Sequence, residues 1–338
     1  MATVFVFGLL VLVHELGHFF TAKMVGMRVD EFAIGFGPKI ISYKHGETLY
    51  SWRIIPLGGF NKIAGMDPDE EQDEQSFNAK SIPARMLVIV AGSSMNFVLP
   101  ILLFLTIFLH SGIDAPTTAP IIGKIFADKP AAQAGLVVGD RIVAVNDIEI
   151  VSWQQFVSVI QVNANHKLNI RYEHEGQIQT KAVTPEYDEK ANRGIIGIMP
   201  QLEKYHPGFI EAIGLSFKQT FLVATSMVVG IGQMITGQAA AEVAGPIGVA
   251  QMAGEVAQLG LMPLLQFAAF LSINLGLINL LPVPVLDGGH LVTLAVEGLR
   301  GKPLNKKHLQ FVQMIGFALL MLLFLVATFK DISKIFLG

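Results

Sequence analysis

The chain has 338 residues, 52% hydrophobic and 15% charged, with a formal net charge of -3 and no cysteine. Soluble domains carry about 25% charged residues, so this composition points to an integral membrane protein, and the small net charge argues against a nucleic-acid partner. Disulfides and thiolate metal ligands are excluded.

The first predicted element is an apolar run over residues 2–22. As a helix it reaches about 33 Å at roughly 1.5 Å per residue, enough to cross a bilayer. It has neither a basic n-region nor an A-x-A-like cleavage site, so it is not expected to be a removable signal peptide. Its only ionisable side chains are His14, Glu15 and His18, in Val13-His14-Glu15-Leu16-Gly17-His18-Phe19. Residues four apart on a helix share a face, so both imidazoles can meet one metal ion, with Glu15 beside them to take a proton from water. A carboxylate in lipid costs at least ~2.5 kcal/mol, which a watered metal site explains.

Next come two β-prone stretches, Lys39–Lys44 and Thr48–Ile55, joined by the turn signal His45-Gly46 and flanked by Gly35-Phe36-Gly37 and Leu57-Gly58-Gly59. They predict a hairpin close to the first span. A packed loop is the plainer reading of these residues, and an exposed edge that pairs with an extended peptide is the sharper one. The acidic stretch Asp67–Glu74 reads as a solvated loop. Met86–Leu109 is free of charge and long enough to span.

Residues 117–203 have ordinary soluble patterning. Arg141–Val145 reads as a strand and Trp153–Gln161 as a short helix; Leu168, Ile170 and Tyr172 alternate, as do Ile178, Thr180 and Ala182. The run from Lys129 through Ala134-Gly135-Leu136-Val137-Val138-Gly139-Asp140 to Asn146 resembles the signature of a PDZ domain, which implies a peptide-binding groove.

Three apolar segments follow. Gln219–Ala241 could span by hydropathy alone. The stretch between Glu255 and Asp287 is charge-free but holds Pro263, Asn274, Asn279, Pro282 and Pro284, so its helix must break near the end. Leu309–Phe329 is the last. Basic residues Lys23 to Arg85 fill the loop after the first span, and Arg300, Lys302, Lys306 and Lys307 fill the loop before the last. The positive-inside rule puts both in the cytoplasm, which requires that 219–241 lie at the outer surface or pack on the bundle rather than cross.

Two histidines leave a zinc ion short of a third protein ligand and an open position. Asp287, in Leu286-Asp287-Gly288-Gly289-His290, stands out at membrane depth, although Asp-Gly-Gly is commonly a turn or cap and His290 competes as a ligand. For Asn274 and Asn279, helix–helix hydrogen bonding is an equal alternative to a functional role. Gly58, Gly59 and Gly245 read as turn or packing positions, and His45, His110, His166, His174, His206 and His308 as ordinary surface or interfacial residues.

His14-Glu15-Leu16-Gly17-His18, Asn279-Leu-Leu-Pro-Val-Pro-Val-Leu-Asp287-Gly-Gly-His290 and the PDZ-like insert together resemble the site-2 protease family of intramembrane zinc metalloproteases. Similarity is greatest to bacterial members that cleave anti-sigma factors and signal-peptide remnants. The resemblance implies Zn2+ held by His14, His18 and Asp287, Glu15 as general base, and Asn274 and Asn279 as substrate-binding residues. It also raises the edge-strand reading of the hairpin above the packed-loop one. Its implied fold is a polytopic α-helical membrane protein of four transmembrane helices, with a membrane-associated β-hairpin and an inserted extracytoplasmic α+β PDZ domain.

The implied organisation is transmembrane helix 1 over 1–25, the membrane-reentrant hairpin region over 26–84, helix 2 over 85–111 and the PDZ domain over 116–204. Interfacial amphipathic helices follow over 205–254, helix 3 over 255–286, the Asp-Gly-Gly motif and cytoplasmic loop over 287–307, and helix 4 over 308–330. Expected partners are single-span membrane protein substrates, a peptide or substrate ligand of the PDZ domain, and the lipid bilayer of the bacterial cytoplasmic membrane. Two departures from the family pattern are the single PDZ domain and Ser93 where many members have proline. A metal or proton transporter would carry inverted repeats, and none is visible; an inert PDZ-bearing scaffold would have no need of Glu15.

Overall fold

The computed structural model describes residues 1–66, 70, 72–189, 191–238, 245–302 and 304–337, with the backbone alone at 56, 57, 235, 306 and 337. Parts of the acidic stretch 67–74 and the end of the 219–241 run lie outside the described residues. The chain forms two compact units, one of residues 1–110 with 208–338 and one of residues 111–207.

The first unit begins with α1 (Ala2–Met24), β1 (Val29–His45), β2 (Thr48–Ile63) and α2 (Ile82–Ser111). Apolar residues surround α1 on all sides, as expected of a helix in lipid. Its first half packs Val6 and Leu10 in one apolar cluster with Leu103 of α2. Its second half packs Phe19 and Ala22 with Met27, Val29, Phe32 and Ile63 at the hairpin base. At the crossing of the two helices a Cβ on Gly17 would stand 2.5 Å from the Ala91 carbonyl oxygen, so only glycine lets them approach this closely.

The hairpin is longer than its β-prone stretches predict, and it is folded on itself. Residues 31–34 pair on one side with 59–62 and on the other with 49–52, while 41–44 pair with 49–52 from beyond. The glycines expected to flank the strands are instead where both strands bend: Gly35, Gly37 and Gly58 have φ of 91°, 83° and 117°, and a Cβ on Gly35 would lie 2.6 Å from the Ile55 oxygen. L-residues rarely adopt such φ values. The far half exposes Ile40, Ile41, Tyr43, Trp52 and Ile54. Glu31 lies at the bend; burial disfavours its charge, yet hydrogen bonds from Ser51 and Arg53 prevail and hold its carboxyl below the ordinary 4.5.

The inserted unit comprises β3 (Ile113–Pro116), β4 (Ile122–Ile125), α3 (Pro130–Gln133), β5 (Arg141–Val145), β6 (Ile148–Glu149), α4 (Trp153–Val162), β7 (Leu168–His174), β8 (Gln177–Val183), β9 (Glu186–Asp188), β10 (Arg193–Ile195), β11 (Ile198–Pro200) and β12 (Leu202–Tyr205). Four strands form one sheet in the order β6-β5-β7-β8, and the rest make two-stranded pairs β3–β12, β4–β11 and β9–β10. Ser152 caps α4 by accepting from the Gln155 amide. Leu168, Ile170 and Tyr172 of β7 join Ile142, Val145, Phe156 and Ile160 in the core. The alternation in β8 is not expressed as burial, and Ile178 is 67% exposed, because β8 is the outer strand of the sheet. His174 is not an isolated surface residue: its Nδ1 lies 2.7 Å from Oδ1 of the fully buried Asp140.

The first unit resumes with α5 (Phe209–Ile235), α6 (Pro246–Gln258), α7 (Leu261–Asn279), α8 (Asp287–Arg300) and α9 (Lys306–Leu337). On α5, Ala212, Ser216 and Thr220 form a buried stripe at four-residue spacing, while Phe217, Phe221 and Val228 are exposed. The expected third segment, 255–286, is not one helix. Gly260, at φ 119°, separates α6 from α7, and α7 ends at Asn279 before Pro282 and Pro284, which cannot continue a helix. Among the described residues, five helices are long and apolar enough to cross a membrane: α1, α2, α5, α7 and α9. The protein is therefore a polytopic membrane protein by the build of its helices.

Candidate metal centre

His14 and His18 stand one turn apart on α1, with their rings edge to face at 88° and their Nε2 atoms 3.2 Å apart. Asp287 opens α8 and brings Oδ2 to 3.7 Å from His14 Nε2 and Oδ1 to 3.6 Å from His18 Nε2. All three offer a ligand atom within 4.8 Å of the others, and His290 is not in this group. The residues fit zinc. Two ligand nitrogens at ~2.0–2.1 Å from one tetrahedral ion stand about 3.3 Å apart, close to the nitrogen spacing here. Side-chain exposures of 12%, 11% and 14% leave room for water at an otherwise buried site.

The surroundings of the histidines point their lone pairs inward. The Val88 carbonyl lies 2.8 Å from His18 Nδ1 and can only accept, so Nδ1 carries the hydrogen and Nε2 is free to ligate. Asn96, fully buried on α2, places its Nδ2 3.1 Å from His14 Nδ1 and leaves its Oδ1 buried without a partner among the described residues. Turning that amide over sets Oδ1 against a His14 Nδ1–H, the pairing a metal-bound imidazole requires. Ser93 donates to Asp287 Oδ2 at 2.7 Å. A Cβ on Gly92 would sit 2.1 Å from His18 Nε2, so α2 must be bare there to admit the imidazole.

Asp287 is held from behind by the broken segment. A Cβ on Gly288 would lie 2.2 Å from the Leu281 oxygen, and one on Gly289 2.3 Å from the Val283 oxygen. The turn carries Val285 at φ 84°, a strained position for a β-branched residue. Next to His14 on α1, Glu15 receives hydrogen bonds from Asn61 of β2, at 2.7 Å to its backbone oxygen and 2.8 Å to Oε2. Asn274 and Asn279 lie half-buried on α7 and form no side-chain hydrogen bond among the described residues. Ser272, on the same helix, donates to the Asn96 carbonyl at 2.9 Å and ties α7 to the helix that supports the histidines.

The sequence marks Ser93 only as a departure from the family pattern and assigns no role to Asn96, Asn61 or the Val88 carbonyl. Ser93 and Asn96 have a readable signal, since polar side chains three apart in a charge-free span share a face and need partners. Asn61 has none in its local sequence, and a backbone carbonyl has no side-chain signature.

Residues 2–323 match the model of peptidase family M50. The chain is 37% identical to a putative zinc metalloprotease of Clostridium acetobutylicum, over 96% of this chain and 95% of the relative. It is 34% identical to the zinc metalloprotease RasP of Geobacillus kaustophilus, covering 98% and 97% of the two chains. With the regulator of sigma-W protease RasP of Bacillus subtilis it shares 32% identity over 100% and 99%. Among solved structures, the PDZ domain of an SdrC-like protein from Listeria monocytogenes is similar at 23% identity and a TM-score of 0.23, over 26% of this chain and 93% of that one.

Proposed function

The chain belongs to peptidase family M50 and is a site-2-type zinc metallopeptidase, and from that premise we propose which residues do the work and on what. His14, His18 and Asp287 hold the zinc ion, and Glu15 is the general base. The observation that carries this assignment is the meeting of Asp287 with two histidines more than two hundred residues away, each ring braced by its own partner on α2. When bound, zinc supplies Lewis acidity that lowers the pKa of water toward ~7 and polarises a carbonyl. Glu15 accepts the proton of the attacking water at its carboxylate and delivers it to the leaving amine. A transmembrane helix hides its carbonyls in its own hydrogen bonds, so the substrate must unwind first. The amides of Asn274 and Asn279 and an edge of the folded hairpin can replace the bonds lost on unwinding.

The substrates are single-span membrane proteins, such as anti-sigma factors, in line with the relative named for sigma-W, or signal-peptide remnants. The unit at 111–207 acts as a PDZ domain. A cavity of about 460 Å3 lined by Phe126, Trp153, Phe156, Ile160 and Met199 suits the side chains of an extended peptide.

Four helices cross, namely α1, α2, α7 and α9, with the 111–207 unit outside the cytoplasm and the metal centre toward its inner face. Parity supports this. Asp331 near the end of α9 accepts from the Gly245 and Gly248 amides at 2.9 and 2.8 Å, and Thr3 at the start of α1 donates to the Ala250 carbonyl at 3.2 Å. Through α6, the beginning of α1 and the end of α9 are tied to one level, which favours an even number of crossings. The exposed apolar side chains of the hairpin tip suit contact with lipid.

The test uses the purified protein with a tagged single-span substrate, beside Glu15→Gln. The expected outcome is zinc retained by both and cleavage by the wild type alone. Equal product from the two proteins would sink the role given to Glu15.

A further inference from the structure

Glutamate has three rotatable side-chain bonds, each with several staggered wells, so a catalytic carboxylate on a helix needs something to choose its direction. Here that something comes from β2. The Asn61 amide nitrogen forks between the Glu15 backbone oxygen at 2.7 Å and Glu15 Oε2 at 2.8 Å. Both partners can only accept when Glu15 is ionised, so the NH2 group must face them and the orientation of the amide is fixed chemically. The fork ties the carboxylate to its own turn of helix and leaves Oε1 as the oxygen without this bond. Asn61 Oδ1 is buried and has no partner among the described residues, so the carbonyl end of the amide makes no described contact that holds the side chain in place. Close approach is built in two residues earlier on the strand: a Cβ on Gly59 would lie 2.8 Å from the Ala33 oxygen and 3.1 Å from Glu15 Cγ.

We propose that Asn61 is the positioning residue of Glu15, selecting the carboxylate geometry in which one oxygen is anchored to the hairpin and the other is left to move the proton. The inference rests on the reading of Glu15 as the base. A base displaced by about 1 Å can cost on the order of a hundredfold in rate while leaving binding alone, which sets the expected pattern.

The experiment measures zinc content, kcat and KM on the purified full chain with a tagged single-span substrate. Asn61→Leu removes the donor at similar size, Asn61→Asp keeps the shape but replaces the donor with an acceptor, and Asn61→Gln keeps the amide. Asn61→Leu and Asn61→Asp should each lower kcat about 10- to 100-fold, with KM within about twofold and full zinc content. Asn61→Gln should recover part of the loss. In a Glu15→Asp background, where the shorter carboxylate is already out of reach of the fork, Asn61→Leu should cost less than about twofold. An equal fall in both backgrounds, a loss of zinc, a change confined to KM, or unimpaired kcat in Asn61→Asp would each overturn the proposal. Undiminished cleavage by Glu15→Gln, run alongside, would instead count against the base itself.

Discussion

Ser93 stands where many relatives are expected to have proline, and the consequence is chemical. Its hydroxyl donates to the Asp287 oxygen that faces His14, and partners of this kind orient a ligand and tune its basicity. Ser93→Ala should therefore weaken zinc binding about 10- to 100-fold with the fold intact, as read by competition with a chromogenic chelator. Unaltered affinity would reduce the contact to helix packing. Asn96→Leu, which strips the His14 partner, should act in the same direction, whereas Val88 works through its carbonyl and tolerates side-chain change.

At the level of elements, three helices and a strand have to arrive together. α1 brings both histidines and Glu15, α2 braces the histidines, α8 brings Asp287, and β2 reaches Glu15 through Asn61. A buried ion pair clamps the far end of α8 to α2: Arg85 Nη2 lies 2.5 Å from Glu297 Oε1, with side-chain exposures of 8% and 15%. Removing one partner strands a buried charge, so Arg85→Ala should destabilise by about 3–5 kcal/mol, while a joint Arg85→Met and Glu297→Leu exchange should be near neutral. Thermal unfolding in detergent distinguishes these, and an Arg85→Ala protein as stable as the wild type would show that the pair is solvated. The same clamp predicts that Arg85→Ala loosens zinc, since α8 carries Asp287, the proposed third ligand.

For the molecule as a whole, the inserted unit has its own core and its own sheet. Expressed alone, residues 111–207 should unfold in a single urea transition, and Phe156→Ala, at 1% exposure in the wild type, should cost about 3–5 kcal/mol. A broad or multistep transition would mean that the unit depends on the rest of the chain. Topology is testable because the chain has no cysteine. Single cysteines at Glu47 and Lys302 should react from the cytoplasmic side and those at Asn146 and Gln238 from the other. Labelling of Gln238→Cys from the cytoplasm would make α5 a fifth crossing. What the linear chain determined by itself were the features with a short-range period or a compositional cost: apolar runs, imidazoles four apart with a carboxylate in lipid, and the prolines that end α7. Asp287 is intermediate, marked by its family motif but distinguishable from a cap or from His290 only once α8 lies against α1. The folding of the hairpin on itself, the bracing of the histidines by Val88 and Asn96, and the grip of Asn61 on Glu15 were decided by tertiary structure alone. Each depends on the close approach of backbones that glycine permits at Gly17, Gly35, Gly59 and Gly92, and no local periodicity encodes which distant segment fills the space a missing Cβ leaves.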